Sequence, residues 1–226
     1  MVSATSEAVD LQSLADGCLI VSHRLGEWMS NAPTMEEDIA LGNIALDLLG
    51  QARGLLQVLG DEDQLAYFRE PQEFRNPLIC ELPNGDYAHT MLRQLFVDHW
   101  LGLVWPQLAA TATDDRVRGV AEKAIKENTY HRRHSSSWAV RLGDGTDESH
   151  ARMETALETL WPYRGEIAVD GWYDAVEPVL TEATLSPPPR DSWVHRSSEA
   201  GWHTEHLGYL LAEMQSLARA HPGASW

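Results

Sequence analysis

The sequence predicts an all-α protein, a four-helix bundle with a helical C-terminal extension. Apolar residues recur at spacings of three and four in four long segments, which is the pattern of helices that bury one side. No stretch of useful length shows the strict alternation that is typical of a strand. Between the segments lie short clusters of Pro, Gly, Asn and Asp, which favour turns. We expect residues 1–226 to form a single domain.

The long helices are expected at about 7–30, 35–59, 86–112 and from the Asp114-Asp115 cap to Leu142. The second is apolar on nearly every side, which predicts a helix buried among several others. Pro106 should kink the third helix, with Gly102 leaving room for its ring. Residues 61–85 are expected to form a long irregular connection across the end of the bundle. Shorter helices should follow at 147–161, 172–185 and 203–219.

Composition excludes several classes of function. The chain carries 17 basic and 34 acidic residues, a formal charge of −17, which argues against nonspecific binding to nucleic acid or to an anionic membrane. No apolar stretch approaches the ~20 residues that span a bilayer. Cys18 and Cys80 have no close spacing and apolar neighbours, so we expect reduced core thiols. With no basic leader before an apolar run, a cytoplasmic location is expected.

The fourth helix carries the main functional clue. At helical spacing, one face of this helix combines apolar residues with one carboxylate and two imidazoles. Its members are Val120, Ala124, Glu127, His131, His134 and Trp138. A carboxylate on such a face must be hydrogen-bonded, paired or bound to a metal, because burying it bare is costly. Four-helix carboxylate proteins hold two metal ions with one carboxylate from each of two helices and Glu-x-x-His from each of the other two.

The ligand set of such a site is incomplete in this sequence. Asp47-x-x-Gly50 and Glu127-x-x-Tyr130 each have an acid, but glycine and tyrosine stand where the histidines belong. His131 follows one residue late, a rotation of roughly 100° around the helix. The third helix adds Asp98. The predicted core cluster is a degenerate metal site, with no catalytic, cofactor-binding or metal-binding residue.

Other interpretations of the cluster stay open at this stage. Its acids could form a hydrogen-bond network, bind one metal in an altered site, or face solvent if the helical phases differ. For Glu127, the expected partners are Arg24, Tyr130 and His131.

A set of longer motifs runs in order along nearly the whole chain. They are VS at 21–22, RLGEW at 24–28, DIALxNI at 38–44, LDLLGQAR at 46–53, KAIKE at 123–127, YH at 130–131, GxGTD at 143–147, HTEHLG at 203–208 and LAEMQ at 211–215. In these motifs the chain resembles the C subunits of the ring-1,2-phenylacetyl-CoA epoxidases, multicomponent oxygenases of aerobic phenylacetate breakdown.

The resemblance implies a ferritin-like fold and a non-catalytic subunit that contains no cofactor. Its partner would be a homologous A subunit, which carries the di-iron centre and the acyl-CoA pocket, within a hetero-oligomer that includes other epoxidase subunits. The assembled monooxygenase would insert one atom of O2 into the ring of phenylacetyl-CoA. Electrons would come from NADPH through a reductase with flavin and an iron–sulfur cluster. No residue derived from spacing alone points to coenzyme A or to an aromatic substrate.

Two other classes of function remain possible from the residues alone. One is an independent ferritin-like di-metal oxidase or iron store, which would need six ligands. The other is a helical interaction protein without an oxygenase partner. For the favoured role as a structural subunit, we expect no stoichiometric iron and a large, partly apolar helical face for assembly.

Overall fold

The computed structural model describes residues 9–196 and 201–224, and these are helical with no strand. The all-α prediction is therefore confirmed for the described part of the chain. No helix there is both long and apolar enough to cross a membrane. The helices are α1 Leu11–Gly26, α2 Met35–Leu59, α3 Glu62–Tyr67, α4 Leu78–Glu81, α5 Tyr87–Thr111, α6 Asp115–Gly143, α7 Asp147–Leu160, α8 Trp172–Glu182, α9 Glu205–Met214 and α10 Ser216–Ala220.

The four long helices α1, α2, α5 and α6 form the predicted bundle. Helix α1 packs along α2, α5 packs along α6, and α2 also contacts α6. Helix α1 is shorter than predicted at both ends. Asp10 caps its start by accepting hydrogen bonds from the amides of Gln12 and Ser13, and residues after Gly26 form turns that include Ser30 at φ 68°.

The prediction that α2 is buried among several other helices holds only for its inner side. Its inner side packs through Leu41, Leu48 and Leu55, which are fully or almost fully buried. By contrast, Ile39 and Leu46 are 58% and 66% exposed on the outer side. The reason is that α1 and α6 are the main neighbours of α2, and they cover only part of its circumference.

The connection before α5 is more ordered than predicted. It contains α3, a 3-10 turn at Pro71–Glu73 and α4. Asp16 of α1 holds this segment, because its carboxylate accepts hydrogen bonds from the Arg69 guanidinium and, at 2.9 Å, from the backbone amide of Arg75. Asp16 is fully buried, and this pairing offsets only part of the loss of its hydration, because burial still raises the pKa of its carboxyl.

Gly102 of α5 also has a role that the sequence did not predict. The helix continues through Pro106 to Thr111. A side-chain carbon at Gly102 would lie 2.9 Å from Arg132 Cδ and 3.1 Å from Asn128 Oδ1, both on α6. The missing side chain therefore allows α5 and α6 to approach closely, which places the polar residues of α6 against α5.

The C-terminal extension covers α5 and α6. Helices α7 and α8 pack on both, and the Trp172 indole donates a hydrogen bond of 3.0 Å to the Phe96 carbonyl. The helix predicted over 203–219 is interrupted near Gln215. The buried side-chain amide of Gln215 instead donates to the carbonyls of Ala66 and Arg69, which joins this end of the chain to the α3 region.

A buried ion pair attaches the start of α9 to α4. Glu81 is fully buried, and its carboxylate accepts hydrogen bonds from Asn76, from the Thr204 amide and, at 2.7 Å, from His203 Nδ1. His203 Nε2 lies 3.1 Å from the Phe74 carbonyl. Because acceptors face both ring nitrogens, this geometry suits the protonated imidazolium. Burial lowers the pKa of His203, but the hydrogen bond and charge of Glu81 outweigh it and raise the pKa overall.

This pair predicts a pH-dependent stability. A raised pKa in the folded state means that the stabilisation is complete below the unfolded value near 6.5 and is lost as the pH rises through the folded pKa. His203→Gln should cost about 3–5 kcal/mol at pH 6, because it leaves Glu81 buried without its charged partner, and less at pH 9. Urea unfolding across this pH range measures both effects.

The matched control is His195→Gln, because His195 stacks on Tyr163 with ring centroids 4.3 Å apart and has no carboxylate partner in the described residues. The control should keep the wild-type pH dependence. An unchanged slope in His203→Gln would show that the pair does not attach α9 as inferred.

Candidate functional site

The buried side of α6 is rotated from the predicted face. Its inward polar residues are Asn128, His131 and Ser135, whereas Glu127 lies at the edge that faces α2, with 14% of its side chain exposed. Tyr130 is 72% exposed, so placing it in the core cluster was wrong. The physical reason is the helical phase: with Asn128 and His131 inward, the residue before His131 must point outward.

The same shift of phase applies to α2. Its inward polar residue is Gln51, while Gly50 is exposed and the Asp47 side chain is 40% exposed. Placing Gly50 in the core was therefore wrong, and Asp47 lies at the α2–α6 boundary. Histidines at positions 50 and 130 would lie on the outside of the bundle, so the Glu-x-x-His comparison does not describe its interior.

Asp98 of α5 is in the core, as predicted, and is fully buried. Its Oδ1 accepts a hydrogen bond of 2.7 Å from Gln94, one turn earlier on the same helix. Burial raises the pKa of Asp98, and the nearby His131, Ser135 and Gln94 offset only part of that effect. Asn128 of α6 donates a hydrogen bond of 3.1 Å to the backbone carbonyl of Asp98, and this bond joins α6 to α5.

Two side-chain bridges connect α2 to α6. His131 Nε2 lies 3.1 Å from Asp47 Oδ2, so this predicted pair does come together. The Gln51 side-chain amide donates a hydrogen bond of 3.0 Å to Glu127 Oε2, and Lys123 Nζ lies 2.9 Å from Glu127 Oε1. Asp47 and Glu127 therefore contact different groups and form no shared pair of acids.

The expected partners of Glu127 were wrong. Tyr130 points outward and His131 contacts Asp47. Arg24 donates instead to the Glu81 carbonyl and to Glu27. The two observed partners are Lys123 on the outside and Gln51 on the inside. Gln51 is a buried amide in a stretch of α2 where Leu48 and Leu55 also face inward. That phase was the signal that could have identified it.

The interior of the bundle does not match the ligand set of a di-metal centre. Beside Asp98 and His131, the buried polar side chains include three amides and a hydroxyl: Gln51, Gln94, Asn128 and Ser135. Metal centres of this class take carboxylates and imidazoles, and Asp98 and His131 are the inward residues of those types near one another. Within residues 9–196 and 201–224, no group of three His, Cys, Asp or Glu side chains could hold a metal ion.

A second polar cluster closes the end of the bundle. Glu37 of α2 accepts hydrogen bonds of 2.6 Å from the Tyr87 hydroxyl and 2.8 Å from His134 Nε2. Burial raises the pKa of Glu37, but the hydrogen bonds from Tyr87 and His134 lower it below its usual value overall. Tyr87 also packs edge-on against Trp28 and Trp138. The cluster joins α2, α5 and α6 and supports a structural role.

The Gln51–Glu127 bridge predicts a graded response to substitution. Glu127→Ala should cost about 1–3 kcal/mol, because the buried Gln51 amide loses its acceptor. Glu127→Gln keeps an acceptor oxygen and should cost less than half as much. The matched control Lys123→Ala removes only the exposed partner and should cost less than about 1 kcal/mol. Chemical unfolding of the three variants measures this order.

The burial of Asp98 predicts that its charge is not needed for stability. Because its pKa is raised in the folded state, native stability falls as the pH rises from the unfolded value near 3.8 through the folded one. At pH 7, Asp98→Asn should leave the unfolding free energy within about 1 kcal/mol of wild type or raise it, since the amide keeps an acceptor for Gln94. Asp98→Ala removes that acceptor and should cost about 1–3 kcal/mol. Equal losses in both variants would contradict this interpretation.

Comparison with known proteins agrees with the motifs. The family model described as phenylacetic acid catabolic protein matches residues 4–170 and 169–226. The chain is also 42% identical over 240 residues to the C subunit of 1,2-phenylacetyl-CoA epoxidase from Escherichia coli (strain K12), an alignment that covers 94% of this chain and 96% of that protein. The resemblance inferred from the motifs is confirmed, and the chain belongs to the phenylacetic acid catabolic protein family.

Proposed function

We propose that this chain is a non-catalytic structural subunit of a phenylacetyl-CoA epoxidase. In this role it pairs with the homologous di-iron A subunit and stabilises it within a larger hetero-oligomer that epoxidises the aromatic ring. The similarity to the C subunit of the Escherichia coli epoxidase supports the choice of complex. One observation supports the non-catalytic role: beside Asp98 and His131 the buried polar side chains include the amides Gln51, Gln94 and Asn128, where a di-metal centre needs further carboxylates and imidazoles.

The rest of the chemistry is assigned to other subunits. The di-iron centre belongs to the A subunit, and NADPH, flavin and an iron–sulfur cluster belong to the reductase. This chain binds no cofactor; Asp98 takes part in the packing of α5 on α6, and His131 in the packing of α6 on α2. The whole chain acts as a single domain in the cytoplasm, and the free, buried thiols Cys18 and Cys80 fit a reducing compartment.

The decisive experiment measures metal and activity in reconstituted mixtures. The chain is purified alone, the A subunit alone, and both together, and each sample is analysed for iron and for phenylacetyl-CoA-dependent NADPH consumption with the reductase present. We expect close to zero iron in this chain. We also expect a stable complex in sizing experiments and turnover that depends on both subunits.

Two outcomes would contradict the proposal. About two irons per chain, with oxidase activity in the absence of the A subunit, would identify an independent di-metal enzyme. If the chain contains no iron and forms no complex with the A subunit in sizing experiments, it is a helical interaction protein with another partner.

A further inference from the structure

The outer side of α2 exposes large apolar side chains in a row. Met35, Ile39 and Leu46 are separated by four and seven residues, which puts them on one side of the helix. Met35 is 76% exposed, and the other two are more than half exposed. Single exposed apolar residues are ordinary, but a row along one helix marks a surface that another molecule can cover.

Helix α6 continues this surface beside α2. Asp47 and His131 are in contact across the two helices, so the residues that precede them, Leu46 and Tyr130, emerge at the same level. Both are exposed by about two thirds or more. We call the surface formed by Met35, Ile39, Leu46 and Tyr130 the α2/α6 outer face.

Glycines leave gaps in this face. A side-chain carbon at Gly50 would meet only Lys123 Nζ, at 4.0 Å, and one at Gly42 would meet nothing within 4 Å. Gly42 lies one turn before Leu46, and Gly50 lies one turn after it. A helix of another subunit can therefore approach the α2 backbone closely on both sides of Leu46.

Exposed cations lie along the α6 border of this face, whereas the acids Glu36 and Asp38 lie beside Met35 and Ile39 on α2. The sequence has only two lysines, Lys123 and Lys126, although its formal charge is −17. Both are exposed on α6, at spacings of seven and four before Tyr130, and the exposed Arg133 follows at a spacing of three. Within the described ranges, neither Lys126 nor Arg133 has a carboxylate partner.

These charges limit which kind of protein can bind to the α2/α6 outer face. A partner that covers an apolar row next to unpaired cations needs an apolar helix with acidic side chains along one edge. Aromatic residues, Met and Arg are also the types enriched in protein interfaces, and the face and its border contain all three. By contrast, the exposed Leu217 on α10 lies near Arg219, whose charge is already paired with Glu70.

We propose that the α2/α6 outer face is the docking surface for the di-iron subunit, which contributes an apolar helix with an acidic edge. This inference rests on the proposed function, since it takes the partner from there. Leu46 and Tyr130 lie at the centre of the contact, and Lys126 and Arg133 lie at its charged border. The Asp47–His131 and Gln51–Glu127 bridges hold α2 and α6 in the relative position that the partner contacts.

The test compares exposed substitutions that should not disturb folding. Leu46→Arg should weaken binding to the A subunit by at least about tenfold in titrations, with an unchanged melting temperature. Lys126→Glu should weaken binding at low salt and reduce its salt dependence. The matched control is Leu217→Arg, a similarly exposed leucine on α10, which should bind as wild type does.

The outcomes separate the two proposals. If the wild-type chain binds the A subunit and Leu46→Arg binds equally well, the docking surface is wrong while the proposed function stands. If Leu46→Arg instead dissolves a homodimer and the wild type binds no A subunit, the occupant is a second copy, and both proposals fail. Equal weakening by Leu46→Arg and Leu217→Arg would also overturn the assignment of this face.

Discussion

The close contact between α5 and α6 is the constraint on which the rest of the structure depends. Gly102 allows the approach, and Asn128 uses it to donate a hydrogen bond to the backbone of Asp98. This contact fixes the rotation of α6, so that Asn128 and His131 face inward and Glu127 faces α2. The same rotation turns Tyr130 to the outside, next to the row of apolar residues on α2.

A bundle with polar residues at its centre must satisfy them without help from solvent. Here amides form several of the required hydrogen bonds, because one amide both donates and accepts and carries no charge to desolvate. Gln51 donates a hydrogen bond to Glu127, and Gln94 donates one to Asp98. Metal-binding proteins of this architecture meet the same requirement with carboxylates on two cations. The amides hold the helices in place, which fits the proposed structural role.

The sequence predicted the elements well and the rotation of the helices poorly. The bounds of α2 were correct because Thr34 gives a clear cap and acidic residues follow it. The predicted rotation of α6 was wrong because the predicted and observed faces share Ala124 and His131, and the local pattern does not decide whether Glu127 or Asn128 turns inward beside them. Only the neighbouring helix decides between them, through Gly102 and Asn128. The bridge from His203 to Glu81 joins residues 122 positions apart, which no local pattern reveals.

We propose that the metal belongs to the partner subunit and that this chain supplies a scaffold and a docking face. The most direct test is a crystal structure of the reconstituted complex with anomalous data collected at the iron absorption edge. The account predicts iron peaks only in the A subunit, with α2 and α6 of this chain packed against it. An iron peak between α5 and α6 beside Asp98 and His131 would contradict it.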